Sequence, residues 1–113
     1  MTKKSALARL LAVSAVAATS VVGVSTSAQA IDCTQYGPNV DPGYLYTSGP
    51  YHRGPAGECA TLPGHSGKAY IQCSKFNKYG NLWYFVRDAS DNTVGWVWSG
   101  NVSRVVNSNH KKC

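Results

Sequence analysis

Acidic side chains are scarce in this chain: five Asp and Glu among 113 residues, against eleven Lys and Arg. The five (Asp32, Asp41, Glu58, Asp88 and Asp91) form no pattern that reads as the facing carboxylate pair of glycoside hydrolysis. No Cys-x-x-Cys occurs, and His52, His65 and His110 are not spaced as paired metal ligands, which excludes the common zinc sites. Sustained 3.6-residue periodicity is missing after the first thirty residues, which excludes a helical bundle. No second apolar run follows those residues, so nothing later in the chain reads as a membrane span. No cofactor is indicated.

Residues 1–30 read as a cleavable secretory signal. Lys3, Lys4 and Arg9 make a positive start, Leu10 to Val24 an apolar run, and Ala28-Gln29-Ala30 a small-residue cleavage pattern. The run is about 15 residues, short of the roughly 20 needed to span a bilayer. Cleavage then leaves residues 31–113, enough for one domain. Ile31 rather than Cys leads that part, so no lipid anchor is expected. The expected location is extracellular, free or associated with the cell wall, without membrane attachment. The formal charge of +6 for the whole chain becomes +3 for residues 31–113, eight cations against five acids. A mild positive charge suits work near an anionic envelope. Export removes the usual nucleic-acid target, and no such partner is expected.

All four cysteines (Cys33, Cys59, Cys73 and Cys113) lie after the signal, and an even count in a short exported chain predicts two disulfides with three possible connectivities. Residues 63–67 (Pro-Gly-His-Ser-Gly) are strong turn chemistry, and the midpoint of Cys59 and Cys73 falls inside them. A hairpin closed there would place Cys59 and Cys73 opposite each other, about 4.5 Å apart at Cα, short enough to bridge. Cys33 would then pair with Cys113 and tie the N-terminal arm to a tail over residues 107–113.

Residues 31–49, rich in Pro and Gly, read as an extended arm pinned by Tyr36, Tyr44 and Tyr46. From residue 50 onward short strands alternate with turns. Strands are predicted over residues 58–62, 68–74, 82–87 and 94–98, with a last strand or helical turn over 102–106. Turns are predicted at 77–81 and 88–93. Several short strands joined by Gly-rich turns argue for a small barrel or sandwich.

Three segments carry a family resemblance. His52-Arg53-Gly54-Pro55-Ala56-Gly57-Glu58-Cys59-Ala60-Thr61-Leu62 resembles the opening of a bacterial SH3-like (SH3b) domain, where a Gly-Pro turn leads from the first strand to the second. Gly80-Asn81-Leu82-Trp83-Tyr84-Phe85-Val86-Arg87 resembles that family's Trp-containing strand. Gly95-Trp96-Val97-Trp98-Ser99-Gly100-Asn101-Val102 resembles its closing strand and the short turn after it. The style is similar to small secreted SH3-like proteins of actinobacteria; His52 departs from the family's frequent Arg. The resemblance implies a five-stranded, partly open β-barrel over residues 50–106, and so an all-β domain with an N-terminal arm and two disulfides.

Function narrows from there. The cysteines are committed to disulfides, and Ser66 beside His65 sits in a tight turn, a poor place for a water-excluded nucleophile. A non-enzymatic role is expected. Twelve aromatics lie in residues 31–113, more than a small barrel buries. Alternation puts Trp96 and Trp98 opposite Val97. The resemblance then places Trp98 and Trp83 in a groove, with Tyr51, Tyr79 and Asn101 on its rim; the alternative is that these aromatics pack under the arm or against each other, a core position being the stronger reading for Trp83. Exposed Trp and Tyr offer large contact area at low entropic cost. The expected partner is peptidoglycan or a peptide ligand, bound by a monomer. The alternative is another exported protein, with the chain as a ligand or enzyme inhibitor acting through the 64–67 turn.

Overall fold

The computed structural model describes residues 30–63 and 65–113. The expected signal lies outside the described residues, Ala30 excepted, as does Gly64. Ile31–Cys113 form one compact unit.

β-Branched and aromatic residues at alternate positions decide where the strands fall. They are β1 (Tyr44–Thr47), β2 (Tyr51–His52), β3 (Thr61–Leu62), β4 (Gly67–Phe76), β5 (Leu82–Asp88), β6 (Val94–Trp98) and β7 (Val102–Val106). A single 3-10 turn, Ser99–Asn101, joins β6 to β7. One antiparallel sheet holds all seven in the order β3-β2-β6-β5-β4-β1-β7. It is open: β3 and β7 are its ends. The described residues are thus all-β, and two strands are added to those read from the residues: the four-residue β1 and the two-residue β2.

The inner face of the sheet carries Leu45, Tyr51, Ala69, Ile71, Tyr84, Val86 and Val97, which pack into the main core. A bulge between Ile71 and Cys73 reverses the facing of β4. Cys73 therefore joins Trp83, Phe85 and Trp96 in a second cluster on the opposite face. The arm covers part of that cluster. Tyr36 stacks on Phe85 with ring centroids 5.5 Å apart, and the Trp96 indole N–H donates to the Gln35 carbonyl at 2.8 Å.

Residues 44–47, expected to belong to the arm, form an interior strand paired with β4 on one side and β7 on the other. The flanking Pro42, Gly43, Gly49 and Pro50 hide its Tyr-Leu-Tyr-Thr alternation, which places Leu45 and Thr47 inward.

The disulfide pairing differs from the expected one. Cys33 bonds Cys59, and Cys73 bonds Cys113. The reason lies in β3. It folds back on β2, with Tyr51 opposite Leu62, and not on β4. Both sides of β4 are already taken by β1 and β5. Cys59 is left in the 53–60 loop, where the arm delivers Cys33. Cys73 meets the tail, which joins β4 through a parallel bridge between Ser74 and Lys112. The Cys113 N–H donates to the Ser74 carbonyl at 2.8 Å.

Candidate functional site

Residue parity at the end of β6 builds the site. Trp96 is fully buried under the arm and Val97 is fully buried in the main core, so Trp98 emerges, 43% exposed. Trp98 lies opposite Trp83 across β5 and β6. The two indoles form one wall of a cleft of about 270 Å³, completed by Pro50, His52, Gly57, Asn81 and Asn101. The volume sits just under the roughly 300 Å³ at which small-ligand sites begin.

Two glycines set the walls. A Cβ on Gly100 would overlap the Trp98 ring, and one on Gly49 would overlap the Asn101 amide. Only a bare backbone lets these side chains lie down where they do. Gly100→Ala is therefore expected to lift the Trp98 indole. Fluorescence emission should shift to the red while the thermal midpoint moves by only a few degrees.

The cleft presents polar groups but no Asp, Glu, Lys or Arg side chain. The His52 Nδ1–H donates to the Cys59 carbonyl at 2.8 Å, since a carbonyl only accepts, and this leaves Nε2 as an acceptor in the neutral ring. The His52 ring meets Trp83 edge to face at 5.2 Å. Trp83 is 4% exposed, and its indole N–H has no acceptor among the described residues. A buried donor left unpaired costs about 1–3 kcal/mol. The Asn101 carbonyl accepts from the Ser48 N–H at 3.0 Å and the Thr47 hydroxyl at 3.1 Å, which fixes the 3-10 turn against the end of β1. The side-chain amides of Asn81 and Asn101 make no hydrogen bond among the described residues.

Of the residues expected from sequence, Trp98, Trp83 and Asn101 come together. Tyr51 does not: it is wholly buried in the main core, with its ring 5.1 Å from that of His65. Burial, with the charges of Asp88 and Asp91, pushes its phenol well above the usual range. Tyr79 is 57% exposed and stands outside the cleft, donating its hydroxyl to Glu58 at 3.0 Å. Sequence reasoning missed His52 and Asn81. The signal for His52 was parity: with Tyr51 inward, its neighbour must face out.

A second polar cluster lies around His65, within the 64–67 segment expected to act as an inhibitory loop. No disulfide holds it. Instead the His65 Nδ1–H donates to Asp88 at 2.8 Å, and Asp91 stands 3.6 Å away. The donor atoms of the three side chains fall within 4.8 Å of one another, a geometry open to a cation, but the inward oxygens of Asp88 are already spoken for. Burial raises the Asp88 pKa, yet hydrogen bonds from the Ser90 N–H, from His65 and from the Ser90 hydroxyl outweigh it and hold the carboxyl below its ordinary value. A depressed folded pKa contributes stability above the unfolded value of about 3.9, and that stability is lost as pH falls through the folded value. Thermal midpoints measured from pH 5 to 2 should fall more steeply for the native chain than for Asp88→Asn, which starts lower.

Compared with protein-family models, with curated proteins and with solved structures, the chain matches none.

Proposed function

We propose that this chain is a secreted, non-catalytic SH3-like module that binds an uncharged, amide-bearing stretch of cell-wall peptide in the Trp98 cleft. The observation that carries the reading is the cleft itself. An exposed indole supplies apolar area, while Asn81, Asn101 and His52 Nε2 supply neutral donors and acceptors matched to peptide amides.

Support for the SH3-like reading comes from order along the chain. The Ser99–Asn101 turn follows β6, Val94–Trp98, in the order that the resemblance implies. Gly54-Pro55 falls between the short pair β2 and β3. Support for secretion comes from the two intramolecular disulfides, which persist in oxidising surroundings. No helix among the described residues is long and apolar enough to cross a membrane.

Sedimentation of the oxidised protein with purified insoluble peptidoglycan tests the reading. Retention is expected to survive moderate salt, because no Asp, Glu, Lys or Arg lines the cleft. Retention lost at moderate salt, or none at all, would contradict it and turn attention to a soluble exported protein.

A further inference from the structure

The outer face of the sheet beyond the arm carries a ladder of cations and tyrosines. Arg104 of β7, Tyr46 and Tyr44 of β1, Lys68 and Tyr70 of β4, and Arg87 of β5 occupy it in that order across four neighbouring strands. The register makes them neighbours: Tyr46 faces Arg104 on one side and Lys68 on the other, Tyr44 faces Tyr70, and Tyr70 faces Arg87. Lys68 Nζ stands 4.4 Å from the Tyr44 ring centre and 5.4 Å from that of Tyr70. The Arg87 guanidinium lies 4.7 Å from the Tyr70 ring and that of Arg104 5.8 Å from the Tyr46 ring.

This face lacks any neutralising acid. Among the described residues no carboxylate forms an ion pair with Lys68, Arg87 or Arg104; the ion pairs present belong to His65. The chain's acids are engaged elsewhere. Asp41 is buried and accepts from Ser108, Asp88 accepts from His65 and Ser90, Asp91 accepts from the Thr93 N–H and stands 3.6 Å from His65 Nδ1, Glu58 accepts from Tyr79, and Asp32 accepts from Thr34. The tyrosine rings hold the three cations in place without cancelling their charge. Long side chains thus lose part of their freedom before any ligand arrives, which lowers the cost of binding.

We propose that this face binds a phosphodiester-linked polyol polymer, a flexible polyanion without bases. Charge complementarity selects an anion, and the spread of the cations selects a polymer. At about 4.8 Å per strand, Arg104 and Lys68 stand two strands apart, about 10 Å, and Lys68 and Arg87 one strand apart. One small anion does not span that distance; successive phosphates on a flexible chain do. The rings disfavour single-stranded nucleic acid, because base stacking needs free ring faces and these tyrosines already carry their own cations. The site is separate from the Trp98 cleft and does not depend on the reading given to it.

Binding of a synthetic poly(glycerol phosphate) oligomer to the oxidised protein, titrated from 50 to 300 mM salt, tests the proposal. Three phosphate contacts predict a log–log salt slope of about −2. The triple variant Lys68→Gln/Arg87→Gln/Arg104→Gln should lose at least tenfold in affinity at low salt and flatten that slope. A charge-matched variant, Lys78→Gln/Lys111→Gln/Lys112→Gln, should stay within twofold of the native protein, and so should Trp98→Ala. Should the triple variant melt early, Arg104→Gln alone, on the end strand, should still lower the affinity by severalfold. Equal losses in the two triple variants would reduce the effect to net charge and overturn the proposal. So would no binding, tighter binding of a single-stranded DNA oligomer of equal charge, or tighter binding of vesicles containing anionic lipid.

Discussion

Removing the Cys73–Cys113 bond by Cys73→Ala/Cys113→Ala should lower the thermal midpoint by about 20 °C, more than removing the other disulfide. The bond closes a separation of 40 residues and the Cys33–Cys59 bond one of 26. In the chain-entropy account these separations correspond to about 4 and about 3.5 kcal/mol. A domain near 80 residues shifts its midpoint by about 5–6 °C per kcal/mol. Each bond is thus a large part of a stability that is about 5–15 kcal/mol in total for ordinary domains. The Cys73 bond matters more, for two further reasons. Cys73 is fully buried beside Trp83, Phe85 and Trp96. Its partner also seats the tail on β4 through Ser74. Heat-capacity melts of the two double variants and of the reduced protein check this, and peptide mapping of the oxidised protein should return the pairs 33–59 and 73–113. A larger loss from the Cys33–Cys59 removal would show that the arm, and not the tail, is the critical staple.

Trp98→Ala should weaken wall-peptide binding by roughly thirtyfold while leaving the thermal midpoint nearly unchanged. The indole is 43% exposed, so its removal takes little from the core. In a binding face, by contrast, a Trp at the centre of the contact is the residue type most often worth about 2 kcal/mol or more, and 2 kcal/mol is roughly thirtyfold. Trp98→Phe should retain part of the affinity, since a smaller ring still fills the wall. Trp83→Ala is the contrasting case. At 4% exposure it opens a cavity in the second cluster and should cost about 3–5 kcal/mol of stability, so any loss of binding there is secondary. Isothermal titration with a soluble muropeptide, alongside melts of each variant, separates the two kinds of effect. Unchanged binding by Trp98→Ala would remove the cleft from the account.

The strands that turned out longest and best paired were legible in the chain, because dense aromatic and β-branched runs leave few alternatives. Residues 94–98 and 102–106 fall where the residue pattern put them, and residues 82–88 run one residue further than expected. Parity also exposed Trp98, since a strand that buries Val97 in the core must turn its neighbours outward. β1 was hidden by Pro and Gly at both ends, whose local preference for extended turns says nothing about what the intervening residues pair with. The disulfides were misread for a related reason. A turn sequence at 63–67 predicts that the chain reverses, but not which earlier strand it returns beside, and β3 chose β2. The residue pattern puts Tyr51 on the rim because aromatics at a strand start read alike whether they face in or out. Only the pairing of His52 with Trp96 fixes that facing. The cation–tyrosine face draws on four strands whose adjacency is a property of the sheet and not of any local stretch of sequence.

The three indole N–H groups offer the most direct test of the central claim, that the Trp98 cleft is the ligand site. Their nuclear magnetic resonance signals, followed during titration with a soluble muropeptide, report the cleft and its control in one spectrum. The Trp83 and Trp98 signals should move together with the side-chain amides of Asn81 and Asn101. The Trp96 signal should stay fixed, because its N–H is held by Gln35 under the arm. Movement confined to the 65–67 segment, or no movement at saturating ligand, would contradict the account.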